Sequence, residues 1–192
     1  MRVCMSQVDG MPIARVAAIT VALATLVIAG NATAAPLAGD AELDPTAYVL
    51  DGHSVHVGVG AGHLRVDLGA FAMTLPAVIH GQDGFTASFD GFGAKLQYFV
   101  RGDRTGAFAG IDAGVLRLDV GRDGTDLAAR DRQVQAGVHL GYRFALPAQL
   151  YVTPWLGVGY AFGADDLTLA GATFEATRVN VFPAVHVGYR FR

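Results

Sequence analysis

The stretch Arg132-Gln-Val-Gln-Ala-Gly-Val-His-Leu-Gly-Tyr-Arg-Phe144 decides the fold class. Val134, Ala136, Val138, Leu140, Tyr142 and Phe144 share one parity, and Gln133, Gln135, His139 and Arg143 share the other. A helix would scatter both sets around its circumference, whereas a strand sends successive side chains to opposite faces. The stretch reads as one long strand with an apolar face and a polar face.

The same alternation recurs along the chain. Val179, Val181, Pro183, Val185, Val187, Tyr189 and Phe191 alternate with Asn180, His186 and Arg190, and Leu150, Val152, Leu156, Val158, Tyr160 and Phe162 form another apolar row. Phe92, Ala94, Leu96, Tyr98 and Val100 alternate with Lys95 and Gln97, and Leu116, Leu118 and Val120 alternate with Arg117 and Asp119. Near the start, Leu64, Val66 and Leu68 alternate with Arg65 and Asp67. Six strands are read directly in this way. Between Val59 and Leu64 the apolar parity switches from odd to even, which requires a bulge or an extra turn. The polar approach from Pro36 to Asp51 carries at most a short helical turn near Pro45–Leu50.

A soluble sandwich also alternates, so length and composition must choose. Charged residues make up 16% of the 192 and hydrophobic residues 52%, where a soluble domain carries about a quarter charged residues. Beyond the N-terminus no run approaches the ~20 apolar residues of a spanning helix. The excess is spread over short segments, and the 25 glycines suit turns and tightly packed strands better than helices. The strand-like segments also exceed the ~5–6 residues usual in soluble sheets. Short turns near Arg101–Thr105 and Ala145–Gln149 alternate with longer polar loops near Pro76–Gly84, Gly121–Arg130 and Gly163–Ala172. That is the pattern of an outer-membrane barrel with both termini in the periplasm. The expected fold is all-β, a small antiparallel up-and-down transmembrane β-barrel.

The first 34 residues read as an export signal. Arg15 precedes an apolar run from Val16 to Gly30, and Ala32-Thr-Ala34 supplies the small-x-small exit of a signal peptidase site. An uncleaved anchor is the alternative, and Met11 offers a second start that would give a leader of conventional length. Cys4, the one cysteine, is far from the cleavage site, which argues against a lipoprotein and leaves the mature chain without a disulfide or Cys-based metal site. The expected organisation is a signal peptide over 1–34, an N-terminal periplasmic segment over 35–52 and an outer-membrane β-barrel over 53–192. The net charge of −3 argues against nucleic acid as a partner.

The ending Val185-His-Val-Gly-Tyr-Arg-Phe191 resembles the closing strand of small outer-membrane barrels of the OmpA- and OmpW-like kind, with Arg192 after the aromatic as the departure. The resemblance implies eight strands and assigns Tyr189 and Phe191 to a signal that the barrel assembly machinery recognises. Leu50-Asp-Gly-His-Ser54, Tyr151-Val-Thr-Pro-Trp155 and Phe182-Pro-Ala-Val-His186 are similar to an uncharacterised group of bacterial barrel proteins, which brings no known activity.

The polar faces are then expected to line a lumen: Arg65, Asp67, Lys95 and Gln97 from the first half, with Asp90 beside them; Arg117, Asp119, Gln133, Gln135, His139 and Arg143 from the middle; Asn180, His186 and Arg190 from the last strand. A wide aqueous pore needs about 16 strands, more than this chain supplies. In a narrow barrel unpaired charges are costly, so these residues are expected to pair and fill the interior. The function expected is a non-catalytic barrel with a structural or interaction role, surrounded by outer-membrane lipid; a narrow channel or hydrophobic-ligand conduit is the alternative.

Enzymatic and cofactor readings find little support. His53 and His56 look metal-like, but residues three apart on a strand face opposite ways, so neither metal nor cofactor is expected. A lipid-A-deacylase resemblance would need a His-x-Ser pair near the last strands; His139 and His186 have none, and only Ser54 and Ser88 follow the leader. Gly58-Val-Gly-Ala-Gly62 has the letters of a phosphate loop but no helix after it, which leaves close strand packing or a bend. Arg101-Gly-Asp103 falls in an expected periplasmic turn, where turn chemistry accounts for Gly-Asp.

Overall fold

The computed structural model describes residues 36–191. The expected signal peptide and Arg192 lie outside the described residues. Eight strands close into an antiparallel barrel: β1 (Ala38–Leu43), β2 (His53–Ala61), β3 (Leu64–Leu75), β4 (Phe85–Phe99), β5 (Gly106–Arg122), β6 (Ala128–Ala145), β7 (Leu150–Phe162) and, after a small hairpin of β8 (Leu167–Leu169) and β9 (Ala172–Phe174), β10 (Val179–Arg190). Each barrel strand pairs with its sequence neighbour, and β1 closes the ring against β10, with Asp40 opposite Arg190 and Leu43 opposite Val187.

The connections differ between the two ends. Gly62-His63, 100–105 and 146–149 form short turns at the end where β1 begins and β10 finishes, here called the turn end. The opposite loop end carries the longer links, including the one-turn helices Pro45–Val49 and Ala77–His80 and the β8–β9 hairpin. The expected parity switch after Val59 is a two-residue turn, with Gly62 at φ +54°. No helix of the described residues is long and apolar enough to cross a membrane.

Two strands escaped the direct reading. β2 and β3 are separate, and β1 lies inside the segment expected to be periplasmic. The described part of the expected 35–52 segment is therefore not a separate approach to the barrel: Ala38–Leu43 belong to its wall, and the helix Pro45–Val49 sits at the loop end, opposite the start of β1 and the finish of β10. β1 is short and its inward positions are Ala38, Asp40 and Glu42, so no apolar row announces it. Because β1 stops at Leu43, β10 has no β1 partner from Val179 to His186. Pro183 sits in that run, where the missing N–H of proline breaks no ladder on the open side.

Candidate functional site: the barrel lumen

The outward face carries an apolar belt. Val138, Leu140, Ile111, Val158 and Val181 are all exposed, and directly opposed residues share a face across β5, β6, β7 and β10. Aromatic rings border it. Tyr142 and Phe144 pack at a tilt near the turn end at 4.5 Å, Tyr189 and Phe191 meet edge-on there at 5.5 Å, and Tyr160 with Phe162 lies nearer the loop end at 4.8 Å. Tyr189 and Phe191 thus point out of the barrel, and the Phe191 N–H bonds Gly39 O at 2.8 Å to complete the closure.

Behind this belt the lumen holds a polar network. Arg65 on β3 is 1% exposed. Its Nε donates to both Asp40 oxygens at 3.0 Å, Nη1 to Gln97 Oε1 at 2.7 Å and Nη2 to Asp67 Oδ2 at 2.9 Å. Asp67 also meets Lys95 Nζ at 3.3 Å and His56 Nδ1 at 2.9 Å. Glu42 accepts from Arg143 Nη2 at 2.6 Å and from His186 Nδ1 at 2.9 Å. A buried guanidinium is tolerable only when such charge-assisted partners replace its water. Glycines make the room: side chains at Gly58 and Gly69 would run into Arg65 with Asp40, and into His56.

Aromatic rings continue the filling. Trp155 lies 5.7 Å from His139 and 5.6 Å from His186, and Lys95 Nζ stands 5.1 Å from its ring centre. His139 is held by Asp112 at 2.8 Å. Arg143 is sandwiched between Phe99 and Tyr151, at 4.9 and 4.1 Å from their ring centres.

Toward the loop end the lumen changes character. Phe85, Ala87 and Val120 form a buried cluster with Leu169 and Phe174 of the β8–β9 hairpin, and Leu75, Leu118 and Leu167 pack against it. Phe85 meets Phe174 edge-on at 5.6 Å. This corrects the expected facing of Asp90, Arg117 and Asp119. The register runs without a bulge from Phe99–Phe108 to Phe85–Arg122, so Leu116, Leu118 and Val120 point inward and Arg117 and Asp119 point outward. Arg117 bonds Asp90 at 2.8 Å through Nε and lies 3.4 Å from Asp119 on the outer surface, and Arg130 joins Asp119 from β6. The strand keeps its period of two, but the polarity of its faces reverses near Val115.

The other expected lumen residues, Gln133, Gln135, Asn180 and Arg190, lie on the inward parity. Gln133 bonds Asp131 near the loop end, and Arg190 lies at the turn end, so neither joins the Arg65 network. Sequence reasoning missed Asp40, Glu42, Ser54, His56, Asp112 and Thr153. For Ser54 and His56 the signal was present: two apart on a strand, they share a face. Ser54 Oγ lies 3.1 Å from His56 Nε2, which faces Asp67 through Nδ1. A serine, a histidine and an acid are thus brought within reach, contrary to the expectation that no such pair is available. Ser54 is only 3% exposed, however, and its acid is shared with Arg65 and Lys95. His53 faces outward, away from His56.

No known family model matches the chain, and no curated protein matches it. In structure it is similar to the N-terminal β-barrel domain of Pseudomonas aeruginosa OprF, with 13% identity and a TM-score of 0.46 over 81% of this chain and 96% of that one. It is similar also to Neisserial surface protein A, with 13% identity and a TM-score of 0.44 over 80% and 94% of the two chains. A third likeness is to a major outer membrane protein from Thermus thermophilus, with 15% identity and a TM-score of 0.45 over 82% of this chain and 100% of that one.

Proposed function

We propose that this chain is a non-catalytic barrel of the Gram-negative outer membrane, exported by a cleaved signal over 1–34, with a plugged lumen and a structural or interaction role. The observation that carries the reading is the reversal of facing along β5. From Ala107 to Val115 the outward residues are apolar and the inward ones are glycine or polar apart from Phe108; from Leu116 to Val120 the outward residues are charged and the inward ones apolar. A barrel wholly in water would keep a polar exterior along its length, whereas a wall that leaves lipid for water must exchange its faces. The turn end then faces the periplasm and the loop end the exterior. Lumen plugging is supported by the Arg65 network in one half and the Phe85–Phe174 cluster in the other.

Cell fractionation tests the location. A mature form beginning near Ala35 is expected in the outer membrane, with heat-modifiable migration on gels; recovery in the soluble periplasm would refute the reading. Planar bilayers test the plug: purified barrel is expected to conduct no steady current, and reproducible single-channel steps would favour a narrow channel instead.

A further inference from the structure

The turn end of the lumen holds an arrangement that the Arg65 network does not explain. Arg104, in the β4–β5 turn, has φ +54° and is 6% exposed. A side chain on Gly60 of β2 would come within 2.9 Å of Arg104 Cδ, so that glycine leaves the space that Arg104 enters. Its neighbour is another cation: Arg190 Nη2 donates to the Arg104 carbonyl at 3.2 Å. Among the described residues no carboxylate lies within bridging distance of either arginine, and both Nε atoms are buried without a partner. Arg104 Nη1 reaches only Gly62 O, at 3.5 Å. Deeper in, Arg143, already paired with Glu42, has its Nη1 3.8 Å from Asp40 Oδ2 but without a hydrogen bond, and the Tyr151 hydroxyl is buried without a hydrogen-bond partner.

Arg104 is buried and Arg190 half-buried; bringing like charges together away from bulk water costs free energy, and leaving buried donors unsatisfied costs more. Burial, and then the adjacent Arg190, pull the Arg104 pKa below its ordinary value. Asp40 is the nearest acid, and it is already bound to Arg65. A tetrahedral oxyanion would supply what is missing, since guanidinium forks match its oxygens in pairs and its charge offsets two cations at once.

We propose that the turn end of the lumen is an oxyanion site in which Arg104 and Arg190, with Arg143 behind them, hold a phosphate group. The site does not depend on the membrane reading; on that reading the turn end that holds it faces the periplasm. The phosphate comes either free from solution or as the headgroup of a neighbouring anionic lipid.

Calorimetric titration with inorganic phosphate, on the full mature chain folded in zwitterionic micelles at fixed ionic strength, tests the proposal. Saturable binding is expected, about tenfold weaker in Arg104→Gln and lost in Arg104→Gln/Arg190→Gln. Phosphate should also raise the Tm above that in chloride, and the double variant should lose that rise. Arg104→Lys keeps the charge without the fork and should fall between the parent and Arg104→Gln; it stands in if the double variant does not fold. A parallel arm uses nanodiscs with and without phosphatidylglycerol, and stabilisation confined to the phosphatidylglycerol discs assigns the phosphate to a lipid headgroup. No saturable effect in either arm, or binding unchanged in the variants, would overturn the proposal.

Discussion

Replacing Arg65 with methionine is the sharpest test of how the lumen holds the barrel together. Met fills much of the same volume but leaves Asp40 without its bidentate partner, Asp67 with only Lys95 and His56, and the Gln97 carbonyl unpaired. All of these groups are 4% exposed or less, apart from Lys95 and His56. Breaking a buried ion pair from one side costs roughly 3–5 kcal/mol, because the remaining charge is stranded. The extra contacts do not simply add, since one guanidinium serves them all. β1 should feel the loss most: it pairs with β10 over only four positions, and Asp40–Arg65 fastens it to β3 across β2. Urea unfolding in lipid vesicles, followed by the single tryptophan, Trp155, should show Arg65→Met destabilised by about 3–5 kcal/mol. In an Asp40→Asn background the same change should cost at least ~1 kcal/mol less, since one stranded charge is already gone. A loss below ~1 kcal/mol, or an equal loss in both backgrounds, would refute the account of a network that binds β1 to the wall.

Arginine at Val138 or Leu140 should cost ~2–4 kcal/mol near the bilayer midplane and less at the inward Gln135; equal damage at both in a folding titration would contradict the facing. Leu118→Arg should destabilise more than Arg117→Leu, because Leu118 packs inward against the Phe85 cluster while Arg117 lies outside; the reverse order in urea unfolding would undo the corrected orientation of β5. Asp103 is held at about 2 by Arg101 and the Thr105 hydroxyl. A lowered acid stabilises above its unfolded value of about 3.9 and loses that help as pH falls toward 2; an NMR titration midpoint above 3.5 would contradict that turn geometry. Phe191→Ala should lower assembled yield in cells more than refolding yield in vitro, because the assembly machinery acts only in cells; normal assembly in cells would show that this terminus is not the recognised signal.

What was legible in the sequence follows from what alternation can encode. The long strands β4, β5, β6, β7 and β10 each carry enough residues of one parity to declare a strand and its two faces. β1 carries six residues, two of whose three inward members are acids, and nothing about Asp40 or Glu42 points to strand rather than loop until Arg65 and Arg143 are placed opposite them. The Ser54–His56–Asp67 contact needed only the period-two rule on a strand that had not been separated from its neighbour.

Asp90, Arg117 and Asp119 fail for a deeper reason. Periodicity says that Arg117 and Leu118 face opposite ways, but not which way is inward; that second step borrows the rule that charge avoids lipid. Below Val115 the rule holds and Asp112 points to the lumen. Above it a packed hairpin lies inside and, on the proposed membrane reading, water lies outside, so the same rule sends Leu118 in and Arg117 out. The inference that charge faces the lumen is therefore valid only over the height of the hydrocarbon layer. Within one 17-residue strand the change of solvent is written as an exchange of faces without a change of period. On the proposed membrane reading, the residue where the exchange occurs, near Val115, marks the outer boundary of the bilayer on β5, and depth-dependent quenching of labels at Val115 and Arg117 should place the two on opposite sides of it.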